Sequence, residues 1–398
     1  MKSDLFPDAV LGVEELHRHF AQEIVEIDRA LLALLTGLGP PSTHYGMLSY
    51  HFGFVDAGLQ ALPEGGYLPR GKRLRPVICN LLCGAFGLPR RVAKQLMMAA
   101  EVMHSASLAH DDIQDRDDLR WNRPTLHAVF GLEQAINAGD ALIGMVYRLL
   151  LGLTAQGVAP SLALDVIAAF NRAHLLMCEG QHLDLSFRYD SIAGADEYLE
   201  MVERKTAAAC VCIGESIAIL ASAPPQAREA LVEFGRSFGV LYQVCDDVRG
   251  IWSLPDSLGR EIGHDVLLQR PTLPLLFASQ HGSARLRAML LRASGRATPL
   301  SVFELKSFRT ELTNCGAGQY CLDAAVLHHR SAHAALTSMG RECAGIDALR
   351  GMVDACLSSV EALLLHAPIE FPAASTRPSS GPGYSQVAPE HDPASMEK

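Results

Sequence analysis

The chain has no long run of lysine and arginine, and its formal net charge is −10. Nucleic-acid binding through a general basic field is thereby excluded, because such binding neutralises many phosphates at once. No cysteine pair has the CxxC spacing of a zinc site. Cys79/Cys83 and Cys210/Cys212 stand closest and read as buried, reduced thiols. The start, Met1-Lys2-Ser3-Asp4, lacks an apolar signal core. The most apolar stretches, such as residues 141–153, are interrupted by Arg148 and fall short of the ~20 residues that cross a bilayer. A soluble protein of a reducing cytoplasm is the expectation. Alternating strand patterns bounded by hairpin turns are scarce.

What is present is apolar and helical. Hydrophobic residues make up 49% and charged residues 20%, the balance of a chain that folds around a core. Leu, Ala, Met and Val recur at three- and four-residue spacing through 8–37, 76–110, 133–156, 161–187, 196–221 and 226–250. A second set is predicted at 272–281, 302–313, 318–339 and 342–365. Breaks fall at Gly39-Pro40-Pro41, Gly65-Gly66, Ala223-Pro224-Pro225 and residues 253–259. Residues 38–70 read as a loop-rich entry. The expected organisation is all-α: an N-terminal helical segment (1–40), a helical core (41–368) and a disordered Pro/Ser-rich tail (369–398).

Two acidic segments stand out. An apolar helix runs into Asp111-Asp112-Ile113-Gln114-Asp115. Asp111 and Asp115 lie four apart and share one helix face, where like charges cost about 0.2–0.5 kcal/mol. A hard divalent cation would relieve that repulsion, as would plain exposure to water. Arg120 follows within a few residues, placed to meet an anion bridged by such a cation. The second segment, Gln243-Val244-Cys245-Asp246-Asp247, again ends an apolar run. Adjacent aspartates there either reach solvent or hold a cation, because burying them unpaired is costly. A third segment is basic: Gly71-Lys72-Arg73-Leu74-Arg75-Pro76 opens a helix, with Pro76 suited to its first turn. Cations beside the free N–H groups of a helix start make a cradle for a diphosphate, or a solvated basic turn.

Taken in order, these segments resemble the motifs of the trans-isoprenyl diphosphate synthase (polyprenyl synthetase, geranylgeranyl diphosphate synthase-like) family over roughly residues 45–280. Residues 111–127 resemble its first aspartate-rich motif, with Trp121 where a second Arg usually stands. Residues 243–250 resemble Gln-x-x-Asp-Asp-x-x-Asp, with Gly250 at the last position. Gly180-Gln181-His182-Leu183-Asp184 and Lys205-Thr206 match the elements between. Residues 259–265 and 269–274 match Gly-Lys-x-x-Gly-x-Asp and Gly-Lys-x-Thr-Leu-Pro, with Arg260 and Arg270 for the lysines.

The resemblance implies a single-domain isoprenoid synthase helical bundle around a central apolar cavity. It implies a homodimer and a transferase condensing an allylic diphosphate with isopentenyl diphosphate. Asp111, Asp115, Asp246, Asp184 and Asp265 would serve three magnesium ions. Lys72, Arg75, His104, Arg120, Lys205, Arg260 and Arg270 would hold the substrates. Lys205, Thr206, Gln243 and Arg120 would act nearest the reacting carbon.

Product length follows from helix geometry. Residues four to eight before Asp111 lie one to two turns below it, and each turn rises about 5.4 Å. Ala106 and Ser107 leave that level open and Met103 is the next floor, so a product of twenty carbons or more is expected. Two other readings share the scaffold: a class I terpene cyclase, which Trp121 favours, and a noncatalytic subunit of a heteromeric synthase, which the retained aspartates oppose.

Overall fold

A computed structural model describes residues 20–187, 194–253, 272–293 and 300–365 of the chain, apart from the side chain of Val302. Arg260, Asp265, Arg270 and the 369–398 segment lie outside the described residues. In chain order the helices are α1 (Ala21–Thr36), α2 (His44–His51), α3 (Leu74–Ala85), α4 (Arg90–Gln114), α5 (Leu126–Phe130), α6 (Leu132–Leu151), α7 (Pro160–Ser186) and α8 (Ala195–Val202). There follow a π turn (Glu203–Ala207), α9 (Ala208–Leu220), α10 (Pro225–Trp252), α11 (Leu273–His281), α12 (Ala284–Ala293), α13 (Val302–Asn314), α14 (Ala317–Ser338) and α15 (Ala344–Leu365). The one sheet among the described residues is a two-stranded ribbon, β1 (Leu119–Arg120) with β2 (Arg123–Pro124).

Helix starts follow local chemistry. Pro160 and Pro225 open α7 and α10 at positions where a missing N–H costs nothing. Ser301 and Glu304 cap α13 reciprocally: Ser301 Oγ accepts from the Glu304 N–H, and the Ser301 N–H donates to Glu304 Oε2 at 2.8 Å.

Three expectations need correcting. The predicted helix 76–110 is two helices, α3 and α4, because the chain turns at Phe86–Pro89 with Gly87 at φ 70°. The predicted loop 38–70 contains α2. The stretch around 141–153 belongs to a longer apolar span. Residues Leu132–Gln156 and Pro160–Ser186 are both long and apolar enough to cross a membrane by length and composition. Each packs in the bundle, α6 against α4 and α7 against α9.

The core runs through every layer. Ala99, Ala109, Leu142, Val166, Ile213, Val244 and Leu349 are all essentially inaccessible to water. α10 is the axis: α9, α14 and α15 pack around it, and α4 packs between α3 and α6.

Candidate functional site

A cavity of about 500 Å³ opens among α3, α4, α7, the π turn and α10. Lys72, Arg75, His104, Ser107, Asp111, Arg120, Asp184, Lys205, Thr206, Gln243 and Asp246 all line it. Residues far apart in sequence thus converge on one space. The wall is mixed rather than uniformly apolar: Leu74, Leu108, Met177 and Met201 share it with the charged groups. That departs from a purely apolar cavity.

The first acidic segment ends α4. Asp111 lies in the last turn and Asp115 caps the helix, its N–H bonded to the Asp111 carbonyl at 2.8 Å. The chain then reverses through Arg116, at φ 57°, into the β1–β2 ribbon. Trp121 and Asn122 form its two-residue loop with φ 52° and 60°, the left-handed pair of a type I′ turn. This ribbon swings Arg120 back onto α4, where its Nε donates to Asp112. Burial raises the Asp112 carboxyl to a pKa of about 6, against the pull of Arg120. Asp112 is thus a positioning residue that holds Arg120 toward the cavity.

Trp121 packs against the basic loop. A side chain at Gly71 would come within 3.0 Å of its ring, and Arg123 lies over its face at 5.6 Å. Arg123 itself is buried, donating to the carbonyls of Tyr50 and His51.

The π turn carries Lys205 and Thr206. It fits between two glycines: a Cβ at Gly180 would meet the Lys205 backbone at 2.2 Å, and one at Gly239 would meet Ala207 at 2.5 Å. Such single π turns are common at functional sites. Here the turn aims Lys205 at Asp184, to which Nζ donates. Burial alone would lower the Lys205 ammonium; Asp184, Asp111 and Asp115 outweigh it and raise its pKa. On the other side Thr206 Oγ1 donates to Gln243 Oε1 at 2.8 Å, and Gln243 Nε2 donates to Asp247 Oδ1 at 2.9 Å. Asp247 is buried and also accepts from the Tyr198 hydroxyl and, at 2.8 Å, from the Leu273 N–H.

Asp246 is the more open of the pair. It is 43% exposed and accepts from Arg249 Nη1 at 3.0 Å, while Arg249 Nη2 donates to Ser359 on α15.

The basic loop divides its three cations. Arg73 sits at φ 53° and turns inward, donating to Asp28 at 3.0 Å, to Glu101 at 2.6 Å and to the Phe52 carbonyl at 3.3 Å. It anchors the loop, while Lys72 and Arg75 line the cavity with it. Arg75 Nε is buried with no hydrogen-bond partner among the described residues. His104 faces the same region, and its pKa is driven well below 6.5 by burial and by the charges of Arg75, Arg120 and Arg73. A neutral imidazole follows.

Among the described residues, three predicted ones are not in the cavity wall: Asp115 caps α4, and Met103 and Ala106 are buried in the core. Sequence reading missed the supports: Asp112, Asp247, Tyr198 and Arg249. The phase of α4 and α10 was the available clue, since the second aspartate of each pair lies about 100° around from the first.

Comparison with known proteins identifies the family and the fold. A family model described as "Polyprenyl synthetase" matches residues 62–307. The (2E,6E)-farnesyl diphosphate synthase of Mycobacterium tuberculosis is 34% identical over 286 residues, covering 71% of this chain and 77% of that one. The geranylgeranyl diphosphate synthase of Methanosarcina mazei is 33% identical, covering 64% and 76%. In structure, the polyprenyl synthetase from Streptomyces coelicolor superposes with a TM-score of 0.71 at 27% identity, covering 87% of this chain and 99% of that one.

Proposed function

The chain belongs to the polyprenyl synthetase family and is a trans-prenyltransferase, and we propose that it joins an allylic prenyl diphosphate to isopentenyl diphosphate, giving a product of twenty carbons or more. The observation that carries this reading is the convergence of two opposed sets of groups on one cavity. Lys72, Arg75 and His104 come from the loop before α3, from α3 and from α4, and Asp111, Asp184, Asp246 and Lys205 from α4, α7, α10 and the π turn. One set suits a diphosphate held directly by cations. The other suits a diphosphate held through metal.

The residues fit magnesium. Asp111, Asp115, Asp184 and Asp246 supply hard carboxylate oxygens, and the raised pKa of Lys205 reports a field that already favours positive charge there. Bound magnesium would neutralise the oxygens of the allylic diphosphate. Arg120 and Lys205 add fixed positive charge where the leaving group gains negative charge as the allylic C–O bond breaks. Arg75, whose buried Nε has no partner among the described residues, holds the isopentenyl diphosphate so that its double bond reaches the allylic carbon. Thr206, fixed by Gln243, lines the reacting end. The proton lost from the new product leaves on the released diphosphate. Ser107 is the small wall residue that leaves the apolar end open.

We read the assembly as a cytoplasmic homodimer. Leu132, Ile136, Leu151, Leu164, Leu175 and Leu176 expose apolar surface along α6 and α7. Self-association would cover it, and sedimentation velocity tests that.

The deciding experiment incubates the protein with magnesium and farnesyl diphosphate, with and without isopentenyl diphosphate. Elongation that requires both substrates is expected. Hydrocarbon formed from the allylic substrate alone would instead identify a cyclase, the reading that Trp121 favours.

A further inference from the structure

Away from the cavity, the last two helices bring together a set of groups that the prenyl transfer does not use. His329 and His333 are four apart on α14 and share one face, and Asp354 meets them from α15. Both imidazole Nε2 atoms lie 2.8 Å from the same oxygen, Asp354 Oδ1. One donor atom from each of the three residues falls within 4.8 Å of the other two.

We propose that His329, His333 and Asp354 form a second divalent-metal site, for an imidazole-preferring ion of the zinc class, which clamps α14 to α15. The donor set differs in kind from the cavity's. Two imidazoles and one carboxylate suit zinc and its neighbours, whereas magnesium prefers oxygen alone. The geometry is close to ligation. Zinc holds His nitrogen and carboxylate oxygen at about 2.0–2.2 Å, so tetrahedral ligands stand roughly 3.3 Å apart. The present contacts of 2.8 Å would need to open by only roughly half an ångström.

The two Nε2 atoms and Asp354 Oδ1 are gathered closely enough for a cation to sit between them, once each imidazole carries its proton on Nδ1 and frees Nε2 as a donor. The side chains are 20%, 29% and 57% exposed, so the ion reaches the site from water and a water completes its coordination. The site does not rest on the prenyltransferase reading. It would nonetheless steady α15, whose Ser359 accepts from Arg249, the partner of Asp246.

The test uses the full chain, stripped of metal and free of diphosphate. Zinc binding is followed by calorimetry and cobalt binding by its visible spectrum, in the wild type and in His329→Ala, His333→Ala and Asp111→Asn. One equivalent is expected in the wild type, weakened about tenfold or more in each histidine variant and unchanged in Asp111→Asn. Zinc should raise the Tm of the wild type and not of His333→Ala. Circular dichroism checks that the variants are folded, and His333→Asp, which returns a ligand, should recover part of the affinity. The site is refuted if the wild type binds no zinc below millimolar concentration. It is equally refuted if the bound equivalent survives in both histidine variants, or if cobalt shows a thiolate charge-transfer band.

Discussion

Lys205 donates from Nζ to Asp184, pairing a group expected to hold diphosphate with one expected to support its metal. The ammonium lies within the field of three aspartates, Asp184, Asp111 and Asp115. It therefore occupies the electrostatic place that a divalent ion and its anion would share. Replacing Lys205 with Met should cut kcat/KM by about 10²–10³, the usual loss when one fixed donor to a developing anion is removed. Steady-state kinetics with the allylic diphosphate varied checks this. A loss under tenfold would remove Lys205 from the reacting end.

Trp121 takes the position where relatives of the resembled family carry a second arginine, and it does so in a left-handed turn residue against Gly71. Trp121→Arg should add a charge-assisted contact to the isopentenyl diphosphate. Such bonds contribute about 1.5–3 kcal/mol, so KM for that substrate should fall by about tenfold or more, with kcat little changed. An unchanged KM would mean that Lys72, Arg75 and His104 already saturate that site.

Ser107 lines the cavity whereas Ala106 is buried in the core. Ser107→Phe should shorten the product by at least one isoprene unit, read by chromatography of the dephosphorylated alcohols. Ala106→Phe forces a ring into packed helices and should cost about 1–3 kcal/mol of stability. Denaturant melts of the two variants separate the effects.

His51 should lower stability in acid. Its imidazole is buried and faces the charges of Arg123, Arg120 and Arg73, which together push its pKa from 6.5 to about 3. The folded chain keeps it neutral where the unfolded chain takes up a proton. Its contribution is complete above pH 6.5 and is lost as pH falls toward 3. The loss should reach on the order of 2 kcal/mol by pH 5. Urea midpoints measured across that range should fall less steeply in His51→Asn than in the wild type.

Tyr198 donates to buried Asp247, which also receives Gln243 and the Leu273 N–H. Tyr198→Phe removes one donor from a buried carboxylate and should destabilise the fold by about 1–3 kcal/mol. Calorimetric melting at neutral pH checks the magnitude.

Much of this was legible in the chain. Asp111 and Asp246 stand out by residue type and position, Asp184 and Lys205 only through the family resemblance, and the fold brings all four to one cavity. The proline starts of α7 and α10 and the Ser301/Glu304 cap are local chemistry written in the sequence. Other features were hidden for physical reasons. Arg73 stands between two cations that face the cavity, yet a left-handed φ turns it inward to Asp28 and Glu101. Asp112 and Asp247 look like their neighbours, and only tertiary packing turns them into supports. The triad of His329, His333 and Asp354 needs the contact of two helices, which no spacing reveals.

The π turn at Glu203–Ala207 makes the site depend on a number as well as on identities. A π turn holds one residue more than the α-helix around it. Deleting Arg204 would let the helix close into regular α register. The helices on either side would keep their faces, because the wider turn is what absorbs the extra residue. Lys205 and Thr206 would lose the bulge that carries them to the cavity, although both side chains remain in the chain. The gap between Gly180 and Gly239 is cut to that extra residue, so this stretch should accept substitutions far more readily than a change in length.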